Sequence, residues 1–452
     1  MNTLIKKMIR YISISVILIA LHFNISAQTL PLDSCKTMAL ENNKRLKEAQ
    51  MKLEAAKLVK KNASTNYFPK VDAGVTLFKS NKDLLQMDVP EMQLPVFDGN
   101  IANLPGATEF AFIPGMQIGM LDYANCGFVS AVQPVYAGGQ IRNGNKLAKL
   151  GVEINQQNLT LSEDEVKVKT EEYFWLLISL KEKMKTLLSY EELVNALLND
   201  VEVSYDAGLI QKSDLLKVQL KKNELETNKL QLQNGIDMVS ISLCQHIGIK
   251  YSKDINFEDE LLENKSPLQY MVNPKESILH RKEFQILNKV KKAEELKHKM
   301  VRGEYMPQFA VGVSGLYLDV LENDNTNLLA FATVSIPISD WWGGSHRLKK
   351  HKIHINMAQN RIDETSELIE LEMEKKFKDL NEAWHRISVS RRSVDQAAEH
   401  HKVIMDNYSA GLVNTSDMLE AQALLQASKD AETDALCTYK VRLTYYLKSI
   451  GK

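Results

Sequence analysis

The chain has 452 residues, 56 Lys and Arg against 57 Asp and Glu, and 44% hydrophobic side chains. That balance excludes a globally basic nucleic-acid binder and an acidic solubilising chain, and the apolar content excludes wholesale disorder. Only 20 Gly and 11 Pro punctuate it, so long uninterrupted elements are expected.

Lys6, Lys7 and Arg10 precede an apolar run over residues 12–23, and Ser26-Ala27-Gln28 brings small residues before a polar start. This is the pattern of a cleaved secretory signal peptide, residues 1–27, because the run is short for a membrane-spanning helix. No Cys follows the run directly, so a lipid-anchored N-terminus is not indicated. Removal of the peptide takes away three positive charges and leaves a net charge of about −4. No later run is apolar enough to span a bilayer as a helix. Contact with a membrane must therefore use β-strands or the surface. The four Cys, at 35, 126, 244 and 437, have no C-x-x-C spacing and are expected as small buried apolar residues.

Strand signals come next. In Val71-Asp-Ala-Gly-Val-Thr-Leu77, alternate residues Val71, Ala73, Val75 and Leu77 share a face opposite Asp72, Gly74 and Thr76. A strand is expected near 67–78, with a partner near 127–136. Between them, residues 81–125 contain Pro90, Pro95, Pro105 and Pro114 and read as a long irregular external loop. Residues 140–207 then step by three and four through Thr170, Tyr173, Leu177, Leu180, Met184, Leu187, Glu191, Val194, Leu198, Val201 and Tyr205, a heptad seam. At 1.5 Å per residue such a helix is about 100 Å long. Gly208 suits a left-handed C′ position, and Ser213 or Asp214 can cap a helix that returns to Gly248.

After a linker at 249–273 the order repeats. Phe309, Val311 and Val313 face away from Ala310, Gly312 and Ser314, giving strands near 305–318 and 328–338 with a short connection. A second long helix near 345–408 carries Leu380, Trp384, Ile387, Val394, Ala398, His401, Met405 and Tyr408, with a stutter at Met373 and Phe377. It ends at Gly411, and Ser416 or Asp417 can cap the return to Gly451. Tyr205-Asp-Ala-Gly-Leu and Tyr408-Ser-Ala-Gly-Leu stand 203 residues apart, as do Pro134 and Pro337; Tyr67-Phe-Pro69 answers Tyr305-Met-Pro307. The first repeat spans 28–248 and the second 274–452. The alternating strands, apolar on one face and small or polar on the other, have the pattern of a transmembrane barrel, and of a small soluble hairpin as well. Four strands are fewer than the roughly eight of the smallest closed barrels, and open edges cannot sit in hydrocarbon. In a membrane, several chains must share one barrel.

These landmarks, with the opening Thr29-Leu-Pro-Leu-Asp-Ser-Cys-Lys-Thr-Met-Ala-Leu-Glu-Asn-Asn43 and the Pro-x-x-x-Gly-Gly region, make the chain resemble the TolC family of outer-membrane efflux proteins over essentially its whole mature length. The resemblance implies a mixed, mainly α fold: long antiparallel coiled-coil hairpins forming a helical barrel, plus four transmembrane β-strands per chain in a shared trimeric β-barrel of twelve strands. It implies a homotrimer in the outer membrane that reaches into the periplasm. The partners would be a periplasmic adaptor (a membrane fusion protein), an inner-membrane pump and outer-membrane lipid. The function would be that of a passive exit duct in efflux or type I secretion.

By the same resemblance, Ala207, Gly208, Leu209 and Ile210, with Ala410, Gly411, Leu412 and Val413, are adaptor-docking tips, although glycine and leucine there also suit a plain helix C-cap. Tyr408, Asp417, Glu420 and Asp214 fall on gate positions; the usual gate Arg is Val413 here, so its salt bridge cannot form. Trp341, Trp342 and Tyr136 suit a membrane-interface belt, followed by Arg347, Lys349, Lys350 and Lys352, which also suit a solvated first helical turn. No enzyme, cofactor or metal is expected: there is no phosphate loop or G-x-S-x-G, and His346, His351 and His354 lack an H-E-x-x-H pattern. The competing reading is a soluble periplasmic coiled-coil scaffold with a small β cap.

Overall fold

The computed structural model describes residues 29–96, 109–120, 123–258, 265–320 and 323–452. The signal-peptide reading, residues 1–27, lies outside the described residues, as do Pro105 and parts of the 81–125 and 249–273 segments. In chain order the elements are β1 (Thr29–Leu30), α1 (Leu32–Asn42), α2 (Lys44–Thr65), β2 (Lys70–Lys79), β3 (Leu85–Val89), β4 (Met92–Pro95), β5 (Phe110–Ile113), β6 (Met116–Met120), β7 (Tyr123–Ala137), α3 (Gln140–Asp206), α4 (Lys212–Ile247), β8 (Asn256–Phe257), α5 (Pro274–Ser277), α6 (Lys282–Glu304), β9 (Gln308–Val320), β10 (Asn323–Ser335), α7 (Trp341–Ser409) and α8 (Thr415–Ser449). They fall into a helical unit, residues up to 56 with 152–291 and 357–452, and a second unit of 57–151 and 292–356.

In the helical unit, α3 and α7 run for 67 and 69 residues, and each is followed by a return helix, α4 or α8. Propensity alone does not hold such helices; their apolar stripes must be buried. Along α3 the fully buried line is Leu187, Tyr190, Val194, Leu197 and Val201, which meets Val218 and Leu225 of α4. The heptad reading had Glu191 and Leu198 on this seam; both are half-buried, because a third surface, Leu419 of α8, draws the stripe toward Tyr190 and Leu197. The stutter in α7 is present as an extra four-residue step: Ile369, Met373 and Leu380 are buried, with Phe377 packed beside them against α8. Trp384 stacks on Tyr439, ring centroids 5.5 Å apart.

Another cluster joins α1, α3 and α4 through Leu32, Cys35, Phe174, Leu177, Leu243, Cys244 and Ile247. Cys35, Cys244 and Cys437 are buried and Cys126 half-buried, and none of the four is in a disulfide. Burial pushes the Cys437 thiol up to about 12, which keeps it neutral and apolar in behaviour. The segment after α4, read as a linker, is partly packed. Phe257 of β8 is buried in this cluster, Lys181 of α3 donates to the Asn256 side chain at 2.6 Å and to the Phe257 carbonyl at 2.9 Å, and β1 pairs with β8 in parallel. The Tyr439 and Tyr446 hydroxyls donate to the carbonyls of Lys265 and Tyr270.

The second unit is built on a four-stranded antiparallel sheet in the order β10–β9–β7–β2. The strands match the expected positions, with two differences. β10 ends at Ser335, before Pro337, whereas Pro134, its counterpart by the repeat, lies inside β7. Proline lacks the ladder N–H and is tolerated there because the register shifts between Pro134 and Tyr136, leaving Val135 as a bulge. The 81–125 segment is not the irregular loop its prolines suggested. β3 pairs with β6 and β4 with β5, and β7 begins as early as Tyr123. Pro90 and Pro114 interrupt the ribbon between its two ladders instead of abolishing it.

Phe174 is fully buried and packs edge-on against Trp175. Phe174→Ala is expected to cost about 3–5 kcal/mol, while Leu188→Ala, on the exposed side of the same helix, should stay within about 0.5 kcal/mol. Tryptophan fluorescence in denaturant measures both.

Candidate functional site

The sheet has one continuous apolar face. Register puts Val71, Ala131, Val313 and Ala330 in one row, Ala73, Val129, Gly315 and Leu328 in the next, and Val75, Gly127, Tyr317 and Thr326 in a third. The alternation read in the strands at 71–77 and 309–314 is therefore carried across all four by the register. Among the described residues no element lies over this face: Leu328 is 85% exposed, Val71, Val75, Val129 and Val313 are exposed, and Gly127, Ala131 and Gly315 are half-buried. The opposite face is mixed: it carries Asp72, Thr76, Ser130, Ser314, Asn327 and Thr333 beside Val132, Leu316, Leu318, Leu329, Phe128 and Phe331. β2 and β10 are the outer strands, each paired on one side only.

The two hairpin tips share one geometry. Gly208 and Gly411 take φ of 73° and 72°. A Cβ at either would meet nothing within 4 Å, so the requirement for glycine is conformational rather than steric. Each ends its helix in a Schellman motif: Leu209 N–H donates to the Ser204 carbonyl and Gly208 N–H to that of Tyr205, and Leu412 and Gly411 repeat this on Asn407 and Tyr408. The leucine of such a motif commonly packs back on its helix. Here Leu209 is 78% and Leu412 75% exposed. Ala207 and Ala410 are exposed as well, and Ile210 and Val413 are half-buried.

The return helices start differently from the sequence reading. Gln211 occupies the N-cap of α4 without a side-chain bond to the helix amides, and Asp214 lies in the first turn, 3.4 Å from Lys217 Nζ. At α8 the cap is Asn414, not Ser416 or Asp417. Its side chain accepts from the Ser416 and Asp417 amides while Asp417 accepts from the Asn414 amide, a capping box. Of the remaining gate residues, Tyr408 is half-buried and packs against the same cluster as Ile210 and Leu215, and Glu420 is exposed. Lys217 donates to Ser416 Oγ at 2.9 Å and so links the two tips.

Sequence reading missed a polar ladder that ties α3 to α8 above this link. Lys183 and Ser179 each donate to Asp434 at 2.7 Å, Thr186 donates to Asp430 at 2.7 Å, and the Tyr190 hydroxyl to the Leu419 carbonyl at 3.1 Å. Its signal was present as acids four apart on α8 facing polar residues three and four apart on α3. Burial holds the Asp430 carboxyl above the usual carboxylate range, with Thr186 and Lys183 acting against it.

Trp341 opens α7 and donates its indole N–H to the Tyr305 carbonyl at 3.0 Å; Trp342 is 84% exposed. Tyr136 is exposed at the bulge and packs on Phe309, ring centroids 6.1 Å apart. Arg347 pairs with Glu304 at 2.8 Å, so it is already engaged, while Lys349, Lys350 and Lys352 are exposed. Burial and the neighbouring His354 lower the pKa of His351. Among the described residues no group of three or more His, Cys, Asp or Glu is arranged to hold a metal ion.

No protein-family model matches the chain, and no curated protein matches it. Solved structures do. The outer-membrane channel OprN superposes with a TM-score of 0.74 over 93% of this chain and 89% of that one, at 14% identity. The CmeC outer membrane channel of Campylobacter jejuni gives 0.73 over 93% and 85%, at 13% identity. The outer membrane protein VceC of Vibrio cholerae gives 0.71 over 93% and 96%, at 13% identity. The fold is TolC-like. The match spans 93% of this chain, so the likeness of fold includes both the hairpins and the sheet.

Asn414→Ala is expected to cost the second tip about 1 kcal/mol, while Gln211→Ala, with no cap to lose, should be nearly neutral; hydrogen exchange of the first-turn amides reads the difference. The folded state holds the Asp430 proton more tightly than the unfolded chain does. That contribution is present below the ordinary carboxylate pKa and is lost as pH rises through the raised folded value. Asp430→Asn is expected to raise the melting temperature at pH 7 and to flatten this part of the pH profile.

Proposed function

We propose that the chain is one protomer of a passive outer-membrane exit duct, a homotrimer that works with a periplasmic adaptor and an inner-membrane pump in efflux or type I secretion. One observation carries this reading: an exposed, largely apolar face on a four-stranded sheet whose two outer strands, among the described residues, are each paired along one edge only. β2, β7, β9 and β10 have 10, 15, 13 and 13 residues, and a tilted strand crosses hydrocarbon in about 9–11. In lipid the open edges each leave a row of backbone groups unsatisfied, at several kcal/mol per group. Pairing β10 of one copy with β2 of the next removes them, and the TolC-like fold supports three copies.

The tips have the right form for docking. A glycine turn fixes the chain reversal, and Leu209 and Leu412 stand out as compact apolar knobs for a partner hairpin. Repeated by three-fold symmetry, Asp214, Asp417 and Glu420 form a ring of acids at the entrance, which attracts cations and resists anions. With Val413 in place of an arginine, the closed arrangement rests on contacts such as Lys217 to Ser416 and the α3–α8 ladder. Transport energy comes from the pump, since the sequence carries no nucleotide-binding motif.

The protein is expected to stay in membranes through carbonate washing and to run as a heat-modifiable oligomer. A washed-off monomer would favour the soluble scaffold. Gly411→Pro forces φ near −65° where the tip needs +72°. It and Leu412→Asp should abolish export while the oligomer still forms; loss of the oligomer would count against docking. The pair Asp417→Ala and Glu420→Ala should raise ion leakage in planar bilayers, and unchanged conductance would remove the gate assignment.

A further inference from the structure

Two aromatic rings on the polar face of the sheet lie across glycines. Phe128 of β7 stands directly opposite Gly74 of β2, and Phe331 of β10 directly opposite Gly312 of β9. A Cβ built on Gly74 would lie 2.6 Å from Phe128 Cε1 and 2.8 Å from its Cζ, and one on Gly312 would lie 2.5 Å from Phe331 Cζ. Neither glycine is among those with positive φ, so neither is required by the backbone conformation. What each supplies is the room for a ring to lie against the wall. The arrangement occurs in both halves of the chain, and Phe128 and Phe331 are separated by the same 203 residues as the two tips.

We infer that Gly74 and Gly312 set the bore of the duct, by letting Phe128 and Phe331 fold flat against the barrel wall instead of standing into the passage. The inference rests on the duct reading, in which the apolar face meets lipid and the face with Asp72, Thr76, Ser130 and Ser314 lines the lumen. In a trimer, six rings then lie on a wall where polar residues alternate with Leu316, Leu318 and Leu329, and they add apolar contact area without narrowing the passage. A methyl group at position 74 meets only the far end of the Phe128 ring, which can move, so the ring must leave the wall. At position 312 the Ala131 carbonyl oxygen is also 3.0 Å from the added Cβ, so moving Phe331 relieves only part of the crowding.

The test needs no opening of the periplasmic end, because it probes from outside. Ser130 lies on the polar face two residues beyond Phe128 along β7, opposite Asp72 and Ser314. In full-length trimers carrying Ser130→Cys and Cys126→Ser, intact cells are labelled with a small maleimide and with a large polyethylene-glycol maleimide. Gly74→Ala is expected to slow the large reagent several-fold relative to the small one, and Phe128→Ala added to it to restore the ratio. At Gly312→Ala, the addition of Phe331→Ala should restore it only in part. An unchanged ratio in assembled Gly74→Ala trimers, or no recovery in the double variant, overturns the inference. Should Gly74→Ala fail to assemble, the double variant must recover the trimer, and failure to do so likewise overturns it. A parent protein that forms no heat-modifiable oligomer and leaves position 130 unlabelled removes the duct reading itself; a labelled parent trimer with no effect of Gly74→Ala removes this inference alone.

Discussion

The outer edges of β2 and β10 are the constraint on which the rest of this molecule turns. Each is a long strand with one ladder partner, so each offers a row of N–H and C=O groups to a neighbour. Soluble proteins blunt such edges with charge, short length or a covering helix. These edges are long, and they border a face that is apolar from Val71 to Val334 but for Gln133. The combination is costly for a monomer in water and worse for a monomer in lipid. It becomes favourable once copies of the chain close the ladder on one another. Edge and face point to the same solution for one reason: both leave groups without the surroundings they need.

The helical unit meets a different requirement. Helices of 67 and 69 residues are stable only where a stripe along them is buried, and different stretches of α3 are buried by different neighbours. Near Phe174 it meets α1, α4, β8 and α8; near Val194 it meets α4 and the start of α8. The polar contacts of α3 with α8 sit between these apolar clusters. Asp430 and Asp434 there accept from Thr186, Ser179 and Lys183 and give the packing a direction that apolar contacts alone do not specify. Charge-assisted bonds of this kind favour one alignment of two helices over neighbouring ones.

The two halves are built alike but finished differently. Both tips use a left-handed glycine and the same pair of backbone bonds, yet only the second return helix has a capping box. Both halves press a phenylalanine over a glycine in the sheet, yet only the first carries a proline bulge and a long β-ribbon between its strands. Repetition keeps what pairing and packing require of each copy, and the differences fall where the chain meets its surroundings.

Much of this was legible in the residues. Period-two alternation at 71–77 and 309–314, heptad steps in the long helices and the paired Ala-Gly-Leu turns locate the strands, hairpins and tips, because each follows from interactions between near neighbours in the chain. The capped positions were less legible: Asn414, Ser416 and Asp417 are all acceptable caps, and a shift of two or three residues in the helix start decides among them. The ribbon strands at 85–95 and 110–120 were hidden by their prolines, although Met87 and Val89 alternate with polar neighbours. The tilt of the α3 seam toward Tyr190 and Leu197, the α3–α8 ladder and the rings over Gly74 and Gly312 were decided by tertiary structure alone. Each depends on which residue stands opposite another far along the chain, and register between distant segments leaves no periodic mark in either one.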